Sequence, residues 1–284
     1  MYARQPLFLC PVSRNPVPGC CFASGAERRS GLHTITTRPP SHMLLAVIPA
    51  RYASTRFPGK PLVDIGGKTM IRRTYEQVLL SRRVDRAVVA TDDERIFEHV
   101  RSFGGNVCMT RPDHSSGSDR CAEVAGQFPE AEIVLNVQGD EPFIQPEQID
   151  LLADTLAGNP DFPIATLAKK IDRPDLLFNP NVVKVVFSGP GAAIYFSRHP
   201  IPYVRGQEPE NWLAQHTFYK HIGLYGFRRA ALLAVARLSP TPLERAESLE
   251  QLRWLENGLP IAVGITELET IGIDAPEDLK NLRW

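Results

Sequence analysis

The chain has 284 residues, of which 43% are apolar, 23% charged and 8% aromatic, and 32 basic side chains balance 32 acidic ones. This is the composition of an ordinary globular protein, and it excludes disorder as the main state. No apolar run approaches the roughly 20 residues that a membrane-spanning helix needs, and a zero net charge argues against an electrostatic nucleic-acid binder.

Residues 1–42 differ from the rest of the chain. They hold five arginines, six prolines and a single acid, Glu27, so the part from Met43 onward carries about four net negative charges. Because this leader lacks the apolar periodicity of a helix or strand, we expect it to lie outside the fold. An arginine-rich, acid-poor leader is typical of a transit peptide, and a start codon assigned too far upstream gives the same pattern. We favour a start at Met43.

Three of the five cysteines, Cys10, Cys20 and Cys21, lie in the leader, and Cys108 and Cys121 lie in the body. An odd number at irregular spacing does not predict a disulfide framework. We therefore expect a reducing compartment.

From Met43 the pattern alternates buried strands with amphipathic helices. Apolar runs predict strands at 44–48, 87–90, 107–109 and 133–137, and helical periodicity predicts helices at 70–79, 93–103 and 118–128. Strands and helices alternating at this spacing indicate parallel β-α-β units, and hence an α/β fold with a mainly parallel central sheet.

The second half of the chain has a different pattern of predicted elements. Strands at 182–187 and 192–196 flank the turn Ser188–Gly191, which predicts an antiparallel hairpin. Helices are then expected at 229–238 and 243–257, a strand at 260–266 and a short helix at 276–283.

The first candidate site is the loop after the first strand, at 49–61. It leaves the carboxyl end of a parallel strand, where ligands bind in open α/β sheets. Arg51, Arg56 and Lys60, with two hydroxyls and a glycine, suit a polyphosphate. The loop matches neither a Walker A loop nor a GxGxxG fingerprint. From charge alone, a solvated basic loop explains it equally well.

The second candidate site is the segment 138–142, at the carboxyl end of the fourth strand. Its carboxylate, Asp140, is well placed for Mg²⁺, which takes one or two carboxylates and completes its shell with phosphate oxygens and water. Asp274 is the natural second carboxylate. Each acid taken alone is explained as well by a turn, and Asp274 by a helix N-cap before Pro276.

Longer phrases recur in order across nearly all of 43–284. They include PARYASTRFPGKPL, MTRPDHSSGSDRCAE, NVQGDEPFI, IYFSRHPIPY, YKHIGLYGFR and LERAESLEQLRWLENG. Together they resemble the 3-deoxy-manno-octulosonate (Kdo) cytidylyltransferases, also called CMP-Kdo synthetases. The PAR…PGK loop alone would indicate only a nucleotidyltransferase.

The resemblance implies a Rossmann-like nucleotidyltransferase sandwich over 43–284, with a small antiparallel sugar-binding and dimerisation part at about 182–225. It implies a cytoplasmic, Mg²⁺-dependent homodimer that joins Kdo to CTP for lipopolysaccharide biosynthesis, releasing pyrophosphate. We expect the dimer contact within 192–218. Such a reaction is an in-line attack of the sugar's 2-hydroxyl on the α-phosphorus, helped mainly by positioning and charge neutralisation. The sequence identifies no general base.

The resemblance also implies roles for individual residues. Arg51, Lys60, Asp140 and Asp274 would be catalytic, with the two aspartates binding the metal. The CTP site would consist of Ala50, Arg51, Ser54, Arg56, Lys60, Arg111, Ser116, Gly117 and Arg120. The sugar site would consist of Gln138, Arg198, His221, Tyr225, Glu250 and Gln251.

Elementary chemistry agrees with the sugar site, because an acidic sugar needs a cation for its carboxylate and side chains that donate and accept hydrogen bonds. Taken singly, however, His221 and Tyr225 are also explained as strand residues that fill space. Two departures from the family pattern are small: Ala275 follows the second aspartate, and Lys220 precedes the histidine where an arginine is usual.

Two alternatives stay open. The nearest is a cytidylyltransferase for another 2-keto acidic sugar, such as 8-amino Kdo or a sialic acid. A non-catalytic nucleotide-sensing module is disfavoured by the joint presence of the arginine loop, the lysine and both aspartates. A nucleotide-sugar glycosyltransferase would lack the PGK loop, and fold analogy alone is weak evidence.

Overall fold

The computed structural model describes residues 19–22, 43–53, 57–269, 272–273 and 276–281. Strands within these residues are β1 (Cys20–Cys21), β2 (Met43–Ala50), β3 (Arg86–Thr91), β4 (Val107–Met109), β5 (Ala131–Asn136), β6 (Ile164–Lys170), β7 (Lys184–Phe187), β8 (Ala193–Ser197), β9 (Tyr219–Arg228) and β10 (Ile261–Ile265). No helix in this described part is long and apolar enough to cross a membrane.

The α-helices of the described residues alternate with the strands in the first half and cluster near the end. They are α1 (Met70–Leu80), α2 (Glu94–Ser102), α3 (Gly117–Gly126), α4 (Pro146–Ala157), α5 (Pro174–Phe178), α6 (Trp212–Gln215), α7 (Arg229–Val235), α8 (Pro242–Glu247) and α9 (Glu250–Glu256). Short 3-10 turns lie at Lys60–Leu62, Pro209–Asn211 and Pro276–Asn281.

The strands form one mixed sheet in the order β1-β4-β3-β2-β5-β9-β6-β10. The pairs β2–β3, β3–β4, β2–β5 and β6–β10 are parallel. This confirms the predicted α/β class and the mainly parallel first half. Because β2 lies in the middle of the sheet and β5 is its parallel neighbour, the loops that leave both strands meet at one edge.

The core lies in two layers, one on each face of this sheet. Along β2, Leu44, Ala46 and Ile48 pack into one layer, whereas Leu45 and Val47 pack into the other. All five are buried, as expected for a strand that helices cover on both faces. Each of the larger ones contributes about 1.5–3 kcal/mol relative to an exposed side chain.

The predicted hairpin is present. Strands β7 and β8 are antiparallel, with Val185 opposite Phe196, and the backbone amide of Gly191 donates to Ser188 across the turn. The antiparallel pairing also extends beyond the hairpin. Strand β9 begins beside β7 and then runs between β5 and β6, antiparallel to both, so the predicted boundary at residue 225 falls inside a central strand.

One predicted helix, 243–257, is wrong as a single element. The structure has α8 and α9 separated at Ser248, which adopts a left-handed backbone conformation with φ of 52°. The break turns the chain so that Leu249 enters the core and Glu250 begins a new helix. Helix α4 and strand β6, which lie between the two predicted halves of the chain, were not predicted from the sequence.

The leader differs from expectation at residues 19–22. Cys20 and Cys21 form a two-residue strand antiparallel to β4, and Cys20 forms a disulfide with Cys108. Side chains alternate between the two core layers, with Cys20 and Phe22 on one face and Cys21 on the other. One disulfide therefore forms, although the number and spacing of the cysteines do not predict a disulfide framework. The rest of the leader lies outside the described residues.

Candidate functional site

A cavity of about 210 Å³ opens at the carboxyl ends of β2 and β5. Three segments meet there: the loop after β2, the loop after β5, and the N-terminus of α3. The cavity brings together eight of the predicted site residues, namely Ala50, Arg51, Lys60, Ser116, Gly117, Arg120, Gln138 and Asp140. Of the residues predicted to bind CTP or metal, Ser54, Arg56 and Asp274 lie outside the described residues.

The two strand-end loops approach each other closely at Gly139. A Cβ atom there would lie 2.7 Å from the carbonyl oxygen of Pro49, a distance that real Cβ contacts do not reach. Only glycine therefore allows the segment carrying Asp140 to pass so near the backbone that leads to Ala50 and Arg51.

A backbone turn carries Lys60 into the cavity. The amide of Gly59 donates to the carbonyl of Tyr52 at 3.0 Å, which folds the loop back on itself. Gly59 has a positive φ of 72°, and a Cβ there would also crowd the Tyr52 ring. The short 3-10 turn that follows directs the Lys60 side chain inward, where it is 7% exposed.

Lys60 and Asp140 form an ion pair, with Nζ 2.8 Å from Oδ2. Their side chains differ in exposure, at 9% for the lysine and 45% for the aspartate. The carboxylate therefore neutralises a buried cation while still facing the cavity. Polyphosphate oxygens and a divalent cation are the kinds of group that could exchange with this pair.

The N-terminus of α3 forms another wall. Ser116 is the N-cap, and its hydroxyl accepts a hydrogen bond from the backbone amide of Asp119 in a capping box. The amides of the first helical turn and the helix dipole favour an anion at this end. Arg120, one turn along, is 4% exposed and lies 3.3 Å from Asp92, so its charge is balanced inside the protein.

Glu250 links this wall to the second half of the chain. It accepts hydrogen bonds from the hydroxyl of Ser116 at 3.0 Å and from that of Ser118 at 3.2 Å. Burial raises the pKa of the Glu250 carboxyl to about 7, although the two serine hydrogen bonds oppose the shift. A carboxyl with this pKa changes its protonation state near neutral pH.

His221 and Tyr225 lie together on β9, with ring centroids 5.3 Å apart. His221 Nε2 lies 2.8 Å from the hydroxyl oxygen of Thr166, whose own proton goes to the carbonyl of Leu224 at 2.8 Å. The hydrogen-bond network therefore assigns Nε2 as the donor. Burial lowers the pKa of His221 to about 3, so the ring is neutral.

Tyr225 and a third predicted sugar residue, Gln251, are buried. Tyr225 is 8% exposed and packs edge-on against Trp254, and burial raises the pKa of its hydroxyl. Gln251, the neighbour of Glu250 on α9, is 4% exposed. Their burial also agrees with the alternative in which such side chains only fill space in the core.

Arg198 lies apart from this cavity. It lines a second depression of about 570 Å³ with Phe178, Tyr195 and Glu247 among its neighbours. Its guanidinium donates to the carbonyl oxygens of Glu247, Pro180 and Ser248. In this structure the guanidinium of Arg198, predicted to be part of the sugar site, therefore binds backbone carbonyls.

Arg111, predicted to be part of the CTP site, also lies outside the cavity. Its side chain is 68% exposed, with Nε 3.4 Å from Asp113 and 3.9 Å from Glu123. It lines a surface depression together with Asp113 and Glu123.

His114 lines the cavity but was not predicted from the sequence. Its ring forms a short contact with the Glu123 carboxylate, and Glu123 also accepts from the backbone amide of Arg111. One glutamate thus holds both ends of the 111–114 segment. The sequence signal that could have identified His114 is its position two residues before Ser116, within the phrase MTRPDHSSGSDRCAE.

The backbone places the segment before Asp274 at this site. The amide of Ile273 lies 3.5 Å from the carbonyl oxygen of Asp140, and Ile273 is buried against Ile65 and Met70.

Comparison with known proteins gives concordant results. Residues 45–268 match the cytidylyltransferase family. The 3-deoxy-manno-octulosonate cytidylyltransferase of Cytophaga hutchinsonii is 54% identical over 238 residues, covering 83% of this chain and 94% of that protein. The protein of the same name from Parabacteroides distasonis is 54% identical over 241 residues, covering 83% and 95%.

A solved structure of CMP:2-keto-3-deoxy-manno-octonic acid synthetase complexed with CTP has a TM-score of 0.78 and 42% identity to this chain. The match covers 84% of this chain and 96% of that one.

Proposed function

Because this chain belongs to the 3-deoxy-manno-octulosonate cytidylyltransferase family, we propose that its strand-end cavity binds CTP and transfers the cytidylyl group to Kdo. The observation that carries the proposal is the convergence of Arg51, Lys60, the α3 N-terminus and Asp140 around one cavity. Two cations and a helix N-terminus suit a triphosphate. The carboxylate suits a cation bound with it.

In the proposed reaction the 2-hydroxyl oxygen of Kdo bonds to the α-phosphorus of CTP. The bond from that phosphorus to the bridging oxygen of the β-phosphate breaks, pyrophosphate leaves with the electron pair, and the hydroxyl proton passes to solvent. Lys60 and Arg51 would hold the leaving phosphates and offset their charge. Removing one such contact typically costs on the order of 10²–10³ in rate.

Mg²⁺ is part of the proposal. Asp140 presents a half-exposed carboxylate to the cavity beside Gln138, and these oxygen donors suit a hard cation. In the described residues no three His, Cys, Asp or Glu side chains cluster as a metal site. Mg²⁺ needs few protein ligands when phosphates and water supply the others. Asp140 would hold it, with Asp274 as second ligand, and the bound cation would withdraw charge from the phosphates.

The sugar would lie toward Gln138, His221, Tyr225, Glu250 and Gln251. Glu250 joins this group to the N-terminus of α3, the proposed nucleotide wall of the cavity, because it accepts hydrogen bonds from Ser116 and Ser118. A neutral His221 and a carboxyl with a pKa near 7 can both exchange hydrogen bonds with sugar hydroxyls.

We also propose a cytoplasmic homodimer. Ile194 on β8 is 62% exposed and Tyr203 is 72% exposed, and both lie within 192–218. Among the described strands, β8 pairs only with β7, and Ala192 just before it is bridged to Ala262 of β10, so the rest of its other edge is open to a partner. Sedimentation of the wild-type protein and an Ile194→Asp variant tests this contact, and an unchanged mass for the variant would contradict it.

The function is tested by following pyrophosphate release from CTP with Mg²⁺ and a panel of Kdo, 8-amino Kdo and N-acetylneuraminate. We expect the highest kcat/KM with Kdo. A preference for another sugar would reassign the substrate. CTP binding without turnover on any sugar would indicate a nucleotide-sensing module instead.

A further inference from the structure

A completely buried lysine lies outside the proposed chemistry. Lys184 of β7 has no exposed surface, and its ammonium donates to the backbone carbonyls of Asn179 at 3.0 Å, Val182 at 2.6 Å and Arg198. An ammonium has three N–H donors, so these carbonyls use all of them. Burying a cation is costly without such partners, so this geometry fixes the lysine and the three carbonyls together.

The carbonyls belong to two segments that are distant in sequence. Asn179 and Val182 form a turn after α5, whereas Arg198 follows β8. Lys184 therefore ties this turn to the backbone at Arg198. Burial lowers the pKa of Lys184 to about 8, while the negative charge of Glu247 opposes that shift.

Arg198 extends the network to the junction of α8 and α9. Its Nε donates to the carbonyl of Glu247 at 2.7 Å, and a terminal nitrogen donates to that of Ser248 at 3.3 Å. In return, the Glu247 carboxylate accepts from the hydroxyl of Ser197 at 2.7 Å and from the amide of Arg198 at 2.9 Å. The segment at 197–198 and the turn at 247–248 are thus linked through the side chains of both Arg198 and Glu247.

This junction determines where Glu250 begins its helix. Ser248 has the left-handed conformation that separates α8 from α9, and two residues later Glu250 bonds to Ser116 and Ser118 at the nucleotide wall. Displacing Ser248 would therefore move a carboxyl that borders both proposed substrates.

We propose that Lys184 is a positioning residue for the sugar subsite, acting through Arg198 and the Glu247–Ser248 turn on Glu250. The inference rests on the proposed function. It predicts that the lysine affects the sugar more than the nucleotide, because Lys60 and Arg51 are held by other segments.

The test replaces the buried ammonium with an apolar chain of similar length, Lys184→Met. Initial rates of pyrophosphate release are measured with CTP and with Kdo varied in turn. We expect kcat/KM for Kdo to fall by about 10- to 100-fold, as for small displacements of a reacting group, with KM for CTP within about twofold of wild type. Lys170→Met, an exposed lysine on β6, is the matched control and is expected to leave both values unchanged.

The proposal would be overturned if kcat/KM fell equally for CTP and Kdo, or if kcat/KM for Kdo did not change. If Lys184→Met does not fold, Glu247→Gln tests the same network from a partly exposed position. It is expected to raise KM for Kdo selectively by a smaller factor, and no selective change would again overturn the proposal. A wild-type protein inactive with Kdo would instead refute the proposed function, and with it this inference.

Discussion

Asp140→Asn separates the catalytic from the structural contribution of the Lys60–Asp140 pair. At 2.8 Å the two charges attract by about 6 kcal/mol at an effective dielectric constant of 20, before desolvation is counted. Because the Asp140 side chain is 45% exposed, screening reduces the net contribution to about 1–2 kcal/mol. That corresponds to a fall in Tm of roughly 3–6 °C for a domain of this size.

The expected effect on turnover is much larger. An amide keeps the shape of the side chain but removes the negative charge proposed to bind Mg²⁺, so pyrophosphate release should fall by at least about 10³-fold. The assay is pyrophosphate release with CTP and Kdo across a magnesium titration, with Tm measured on the same samples. Asp113→Asn, at a carboxylate that is 70% exposed, is the control. Turnover within tenfold of wild type would refute the metal assignment, and loss of the folded state would show that the aspartate is primarily structural.

Two further predictions concern the walls of the cavity. The folded-state pKa of Glu250, about 7, lies above the ordinary value of 4.5, so the folded protein retains this proton as pH rises and loses the associated stability between about pH 4.5 and 7. Between pH 5 and pH 8, the free energy of unfolding should therefore fall by about 1–2 kcal/mol less in Glu250→Gln than in the wild type, as measured in denaturant melts. Parallel pH curves for the two proteins would contradict this. Gly139→Ala should destabilise by about 1–3 kcal/mol in the same melts, because its Cβ would lie 2.7 Å from the Pro49 carbonyl, whereas Gly126→Ala, with open space around it, should be neutral or stabilising. Equal effects of the two alanines would disprove the close-approach argument.

Local patterns in the sequence were sufficient to locate the cavity. Apolar runs place β2 and β5, and parallel strands bring their carboxyl ends to one edge, so Arg51 and Asp140 could be assigned to neighbouring loops. The hairpin of β7 and β8 was likewise predictable, because its turn residues and its alternation are local.

Elements that depend on distant contacts were not predictable. The break at Ser248 occurs inside a continuous helical pattern, since packing of Leu249 and the hydrogen bonds from Arg198 override local periodicity. The pairing of Cys20 with Cys108 requires a strand added at the sheet edge, which composition alone did not indicate.

The sequence by itself determined the α/β class, the loop that lines the cavity and, through its long family phrases, the reaction. Tertiary structure alone decided which of those residues touch one another. It pairs Lys60 with Asp140 across 80 positions, brings Glu250 to Ser116 across 134, and turns Arg198 toward backbone carbonyls. The physical reason is that strand and helix periodicity depends on near neighbours, whereas the charge state and partners of a side chain depend on burial by segments far away in the chain.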